Sequence, residues 1–232
     1  MGKGPDAVVS MVHHYFQKHG LGEKNIIIHA DNCSSQNKNN TMIWYLAWRV
    51  MNGLHKKITY SFMVPGHTKF SPDGFFGLIK LKLRKSEVDD VDDLVEVVKN
   101  STTNMHNLAQ PVYENNEKKV DFYQWNAFFS KYFKPLPRIS KYYHFIFESD
   151  HPGSIKYKRH HSDDFGSYNC LLKDHTLDIN TINLDDELNI KEAIGLNASR
   201  QWYLYDQIRD LVQDPNKRNN ICPEPSVPRP NL

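Results

Sequence analysis

The chain has 232 residues, 39% of them hydrophobic and 12% aromatic, enough apolar material to bury a core, which excludes wholesale disorder. Twenty-nine Lys and Arg stand against 27 Asp and Glu, a net +2 that by itself indicates no nucleic-acid partner. No apolar run is long enough to span a membrane, and Met1-Gly2-Lys3-Gly4-Pro5 has no signal-peptide character. The expected compartment is therefore nuclear or cytoplasmic, with no secretion and no membrane partner. Three scattered cysteines (Cys33, Cys170, Cys222) exclude a disulfide framework and a structural zinc site, and suit a reducing compartment.

Pro5 and Asp6 open a helix that runs to about His19, with Val8, Met11, Val12, Tyr15 and His19 as its expected buried stripe. Gly20 and Gly22 end it. Ile26-Ile27-Ile28 is a β-branched run between turn signals and reads as a buried central strand, delivering His29-Ala30-Asp31 to its C-terminal edge. A polar loop from Asn32 to Asn40 leads into a helix over roughly 40–52, apolar on nearly every face except at Arg49. Lys57 to Val64 alternates toward a second strand, Pro65-Gly66 turns the chain, and Ser71-Pro72 opens a helix over about 72–85 with Asp73 in its first turn.

Beyond Ser86 an acidic helix is expected over about 88–99, followed by a hairpin closed at Asn115-Asn116. An aromatic-rich helix follows from Tyr123 to Phe133, then a strand pair over 142–158 around Asp150-His151-Pro152-Gly153. A late amphipathic helix runs from Ser199 to Gln213, and the Pro-rich end from Pro223 reads as an extended tail.

Charge is informative locally. Residues 38–85 hold nine basic side chains and one acid, Asp73, a net +8, and residues 86–98 then hold six acids and no base. A basic block around a lone acid suits a phosphate-handling surface, and equally a solvated face beside an acidic helix. Lys156, Lys158, Arg159, His160 and His161 form a second basic cluster, readable as a nucleic-acid track or as an ordinary exposed strand.

Asp31 ends an apolar strand, and Asp73 opens a helix 42 residues later. Carboxylates so placed can converge on Mg²⁺ or Mn²⁺, hard cations that prefer oxygen donors and stabilise the oxygens of a phosphoryl transfer. The plainer alternative makes Asp73 a helix-terminus residue and Asp31 a loop-ordering one. Asn32, Gln36, Asn37 and Lys38 are candidate phosphate contacts from the loop. His67 could orient a nucleophile, and Lys69 could neutralise a phosphate. Two rivals stay open: Cys33 as a thiol nucleophile beside His29 and His67, and a mononuclear metal hydrolase built from His29, Asp31, His67 and Asp73.

The run His29-Ala30-Asp31-Asn32-Cys33-Ser34-Ser35-Gln36-Asn37-Lys38-Asn39-Asn40 resembles the H-x-D-N-C-x-x-Q-N-K-N-N signature of an uncharacterised, transposon-derived domain family. The likeness continues through Trp44 to Arg49, through Gly66-His67-Thr68-Lys69-Phe70-Ser71-Pro72-Asp73, and into Asp150-His151-Pro152-Gly153 and Arg200 to Tyr205. The resemblance implies an α/β fold: a partial RNase H-like core of the cut-and-paste transposase type with its first three strands missing, and a C-terminal α+β extension. Residues 1–100 are then the catalytic-core fragment, 101–222 the extension and 223–232 the tail.

Asp31 matches the second acid of such a site, and Asp73 is a candidate third. The missing strands would leave a sheet edge open and the metal site one carboxylate short. The implied reaction is metal-dependent DNA cleavage and strand transfer on transposon ends or target DNA, with catalytic roles for Asp31, Asp73 and His67. The alternative is a catalytically inactive remnant that binds nucleic acid or protein. Self-association into a homo-oligomer is left open.

Overall fold

The computed structural model describes residues 4–63, 71–114, 117–172, 188–192 and 194–230. Its elements begin with α1 (Pro5–His19), β1 (Asn25–Ala30), α2 (Asn40–Met51), β2 (Lys57–Phe62), α3 (Ser71–Leu83) and α4 (Val91–Lys99). They continue with β3 (Tyr113–Glu114), β4 (Glu117–Lys118), α5 (Trp125–Phe129), β5 (His144–Glu148), β6 (Ser154–Lys158) and β7 (Gly166–Asn169). Two short helices, α6 (Ala198–Tyr203) and α7 (Arg218–Ile221), follow among the described residues. The chain forms two compact units: Met1–Thr68 with Val120–Glu192, and Lys69–Lys119 with Ala193–Leu232.

The first unit is built on a mixed five-stranded sheet in the order β1-β2-β5-β6-β7. β1 and β2 are parallel, Asn25 opposite Lys57 through Ala30 opposite Phe62, and α2 makes the crossover that a parallel pair requires. The remaining neighbours are antiparallel, so the strand pair expected over residues 142–158 is present and continues this sheet. Ile58, Tyr60, Phe62, Phe145, Phe147 and Ile155 alternate onto one face and meet α2, which is buried at every position from Thr41 to Val50. Asn39 caps that helix, its side chain accepting from Met42 N at 3.1 Å. Trp125 and Phe129 of α5 stack with centroids 5.5 Å apart and close the core.

Three expectations are corrected in this unit. The Ile26–Ile28 strand is an edge strand: β1 pairs with β2 alone, its outer edge has no partner among the described residues, and Ile27 is 69% exposed. Among the described residues of this unit helices cover one sheet face, so alternate residues of β1 point away from the core. The buried side of α1 is Val9, Ser10 and His13, while Met11 and Tyr15 are exposed. The helix is turned because Ser10 Oγ donates to Asp6 O and accepts from Tyr123 N and Trp125 Nε1, both at 3.0 Å. The aromatic helix is confined to Trp125–Phe129, since Tyr123 and Phe133 form β-bridges with Ile190 and Leu171.

In the second unit α3 has no buried residue among those described, and Asp73 lies in its first turn. α4 opens with a capping box between Asp90 and Asp93. Lys217 bridges both carboxylates at 2.8 Å. β3 and β4 pair antiparallel, and the Asn115-Asn116 expected to join them lie outside the described residues. The helix expected from Ser199 to Gln213 is α-helical only over Ala198–Tyr203, then passes through a π segment (Leu204–Ile208) and a 3₁₀ turn. There Arg209 reaches back to the carbonyls of Arg218 and Cys222. No helix among the described residues is long and apolar enough to cross a membrane.

Candidate functional site

Asp31 follows the last residue of β1 and is exposed at the C-terminal end of the sheet. Its Oδ1 accepts from Cys33 N at 2.9 Å and from Asn37 Nδ2 at 2.8 Å, closing the loop on itself. Cys33 O accepts from the backbone N–H groups of Gln36, Asn37 and Lys38, and Asn39 Nδ2 donates to Gln36 O at 2.9 Å. Asn32 ties the loop to β2 through Met63 O, and Tyr60 OH donates to Asn37 O at 2.9 Å. The polar run is therefore an ordered turn whose amides bond one another and the backbone, with Gln36 and Asn37 half-buried. Asp31 Oδ2 has no hydrogen-bond partner among the described residues and is the atom a ligand could reach.

Lys38 is buried: its ammonium donates to Asn32 Oδ1 at 2.9 Å and sits 3.8 Å from the ring centroid of Tyr143. Burial lowers its pKa to about 8, since desolvation penalises the charged form. Cys33 Sγ lies 3.3 Å from Ser35 Oγ, and no imidazole hydrogen-bonds it among the described residues.

Asp31 belongs to the first unit and Asp73 to the second. His67 and Lys69 lie outside the described residues. Among the described residues no group of three or more His, Cys, Asp or Glu could hold a metal ion.

Register brings together a second set of side chains. His29, Ser61, His144 and Lys158 are directly opposite one another on β1, β2, β5 and β6, and so share the sheet face that the helices leave bare. A cavity of about 710 Å³ lies over this row and is lined also by His161 and Phe165. Ser61 Oγ is 3.2 Å from His144 Nδ1, and the rings of His144 and His161 are 6.4 Å apart. Burial first, then the charge of Lys158 and the neighbouring imidazoles, lowers the pKa of His144. Four residues along β5 from His144, at the other end of the strand, Glu148 is held between Lys57 at 3.1 Å and Lys156 at 2.7 Å. The face therefore offers imidazoles and the Lys158 ammonium at the Asp31 end, and Glu148 is already paired. The basic run 156–161 points to Lys158 and His161 in the sequence; Ser61 and His144 carry no such mark, although the alternation His144-Phe145-Ile146-Phe147-Glu148 puts His144 on the polar side of a strand.

No match emerges among curated proteins or among solved structures. The profile described as "Domain of unknown function (DUF7869)" matches residues 3–163, a span that holds β1, the Asp31 loop, α2, β2 and the β5–β6 pair. The chain belongs to the DUF7869 family.

Proposed function

We propose that the chain descends from a transposon-encoded transposase with an RNase H-like core, and that it engages DNA phosphates at the end of the sheet where Asp31 lies. The observation that carries the reading is the placement of Asp31. It leaves the C-terminal end of a strand that pairs in parallel with β2 through a helical crossover, where ligands of open α/β sheets gather. The outer edge of β1, without a partner among the described residues, suits the addition of further strands. The row His29, Ser61, His144 and Lys158 supplies hydrogen-bond donors and positive charge for a phosphate backbone without a competing carboxylate.

For the metal the fit is incomplete. Asp31 offers one oxygen, and a two-metal centre needs several carboxylates from different elements. Asp31 is proposed as one carboxylate of a Mg²⁺ or Mn²⁺ site that other acids would have to complete, and Asp73 keeps the metal role that the sequence resemblance implies. The second reading is a catalytically inactive remnant that binds nucleic acid or protein.

The test is DNA binding and Mn²⁺-dependent nicking by wild type, Asp31→Ala, Asp73→Ala and Lys158→Ala. Nicking lost in both aspartate variants supports the enzyme. Salt-sensitive binding without nicking, weakened by Lys158→Ala alone, supports the binding module. Binding that ignores salt and all three substitutions would sink both.

A further inference from the structure

Away from the sheet end, Arg49 is buried in the first unit with 6% of its surface exposed, and no carboxylate pairs with it among the described residues. Its Nε donates to His55 Nε2 at 3.1 Å, and Nη1 donates to Tyr45 OH at 2.9 Å. His55 is oriented for this by its Nδ1, 2.7 Å from Glu23 O. A guanidinium has five N–H donors, so three are left without an acceptor among the described residues. The contrast with Lys38 is chemical. A buried ammonium can shed its proton, whereas a guanidinium stays charged and needs an anion or a set of acceptors to compensate it.

The unused donors have company. Tyr45 OH accepts from Arg49 and so turns its own proton toward His13 Nδ1, 3.2 Å away. That leaves His13 as the Nε2–H tautomer. Trp48 Nε1–H is buried with no partner among the described residues. His13, Trp48 and Arg49 all line one cavity of about 540 Å³, within the size range of small-molecule sites. Phe16, Leu54 and Ile190 supply apolar wall, and the Phe16 ring lies 4.3 Å from the guanidinium carbon of Arg49. The pocket is thus walled by one fixed positive charge, the His13 imidazole and an aromatic and aliphatic lining.

We propose that this cavity is a binding site for a small organic oxyanion, a carboxylate or phosphate ester carried on an apolar ring, with Arg49 gripping the oxyanion and Phe16 and Leu54 holding the ring. Guanidinium and oxyanion match as a charge-assisted, two-pronged pair, and the apolar walls exclude competing water. The proposal is independent of the DNA reading, since none of these residues belongs to the Asp31 loop or the His29–Lys158 row.

The experiment is calorimetric titration of the full chain with phenyl phosphate, phenylacetate and uncharged benzyl alcohol. One oxyanion should bind at least about tenfold more tightly than the alcohol, and comparison of the two identifies the preferred group. Leu54→Trp, at a half-exposed position of the lining, should keep the wild-type circular dichroism while weakening binding about tenfold or more. Arg49→Met should do the same if it folds, and Leu54→Trp decides the matter if it does not. Equal binding of the alcohol, or oxyanion binding untouched by Leu54→Trp, overturns the proposal. Asp185, Asp186 and Glu187 directly precede Leu188 in the chain. Binding that appears only in the triple variant Asp185→Asn, Asp186→Asn, Glu187→Gln would show that the chain's own acids occupy the cavity, and overturns it too. No binding in either background does likewise.

Discussion

The hydroxyl of Tyr45 accepts a 2.9 Å hydrogen bond from Nη1 of Arg49, one helical turn along α2, in the interior of the first unit. The same hydroxyl faces His13 Nδ1 at 3.2 Å, so one oxygen joins a guanidinium on α2 to an imidazole on α1. Tyr45→Phe keeps the ring and its stacking while removing that oxygen. It leaves Arg49 and His13 each short of a partner, and the expected loss is about 1–3 kcal/mol. Urea denaturation at pH 7 measures it; a midpoint equal to wild type would show that the relay holds nothing together.

His13 also makes stability depend on pH. Burial first, then the charges of Arg49 and His14, lowers its pKa from 6.5 to about 4. The unfolded chain takes up this proton near pH 6.5, and the folded protein resists it. The contribution is complete above about pH 6.5 and is lost as pH falls through about 4, a total of roughly 3 kcal/mol. Denaturation midpoints at pH 7 and pH 4.5 should differ in wild type and converge in His13→Gln. Identical pH slopes for the two proteins would remove His13 as the cause.

The carboxylate of Asp93 behaves in the opposite chemical sense with the same direction in pH. A hydrogen bond from the Lys217 ammonium, then those from the backbone of Asp89 and Asp90, hold it down to about 2 from the ordinary 3.8. Its support of the α4 terminus is present above the ordinary value and is lost as pH falls through about 2. In an NMR titration Lys217→Ala should move the Asp93 midpoint up toward 3.8. An unmoved midpoint would assign the depression to the backbone donors alone.

Gly153, in the turn between β5 and β6, has φ of +71°, and a Cβ there would lie 2.4 Å from Cγ and Cδ1 of Leu171. Gly153 O also accepts from Cys170 N at 2.9 Å, fastening the chain after β7 to this turn. Gly153→Ala is expected to destabilise by about 1–3 kcal/mol through backbone strain and overpacking together. Combined with Leu171→Ala, the cost should be clearly less than the sum of the single changes. Strict additivity would mean that Leu171 is not the obstacle.

Asp31 separates a structural role from a binding one. Asp31→Asn retains an acceptor for Cys33 N–H, so stability should change by less than about 1 kcal/mol, whereas Asp31→Ala should cost about that much. Under the proposed function both variants should weaken Mn²⁺ binding, read by calorimetry, by at least about tenfold. Mn²⁺ binding that survives in Asp31→Ala would leave this residue with the loop-ordering role alone.

The local chain determined those features whose physics is short in range. Pro5 at the start of α1 and Gly20 past its end, the Asn39 cap of α2, and the Asp150–Gly153 turn between β5 and β6 follow from backbone preferences within a few residues. The strand that presents Asp31 is legible in the same way, as three isoleucines between turn signals. Tertiary structure decided what depends on partners far along the chain. β1 lies at the sheet edge because β5 pairs with the other side of β2. Ser10 and His13 turn inward because Tyr123, Trp125 and Tyr45 offer them hydrogen bonds. His144 and Lys158 join His29 through strand register, a relationship between residues more than a hundred positions apart that no local pattern encodes. Arg49 is the single charge on a helix that reads as apolar on nearly every other face; the fold buries it against the Phe16 ring and His55, partners that lie outside α2.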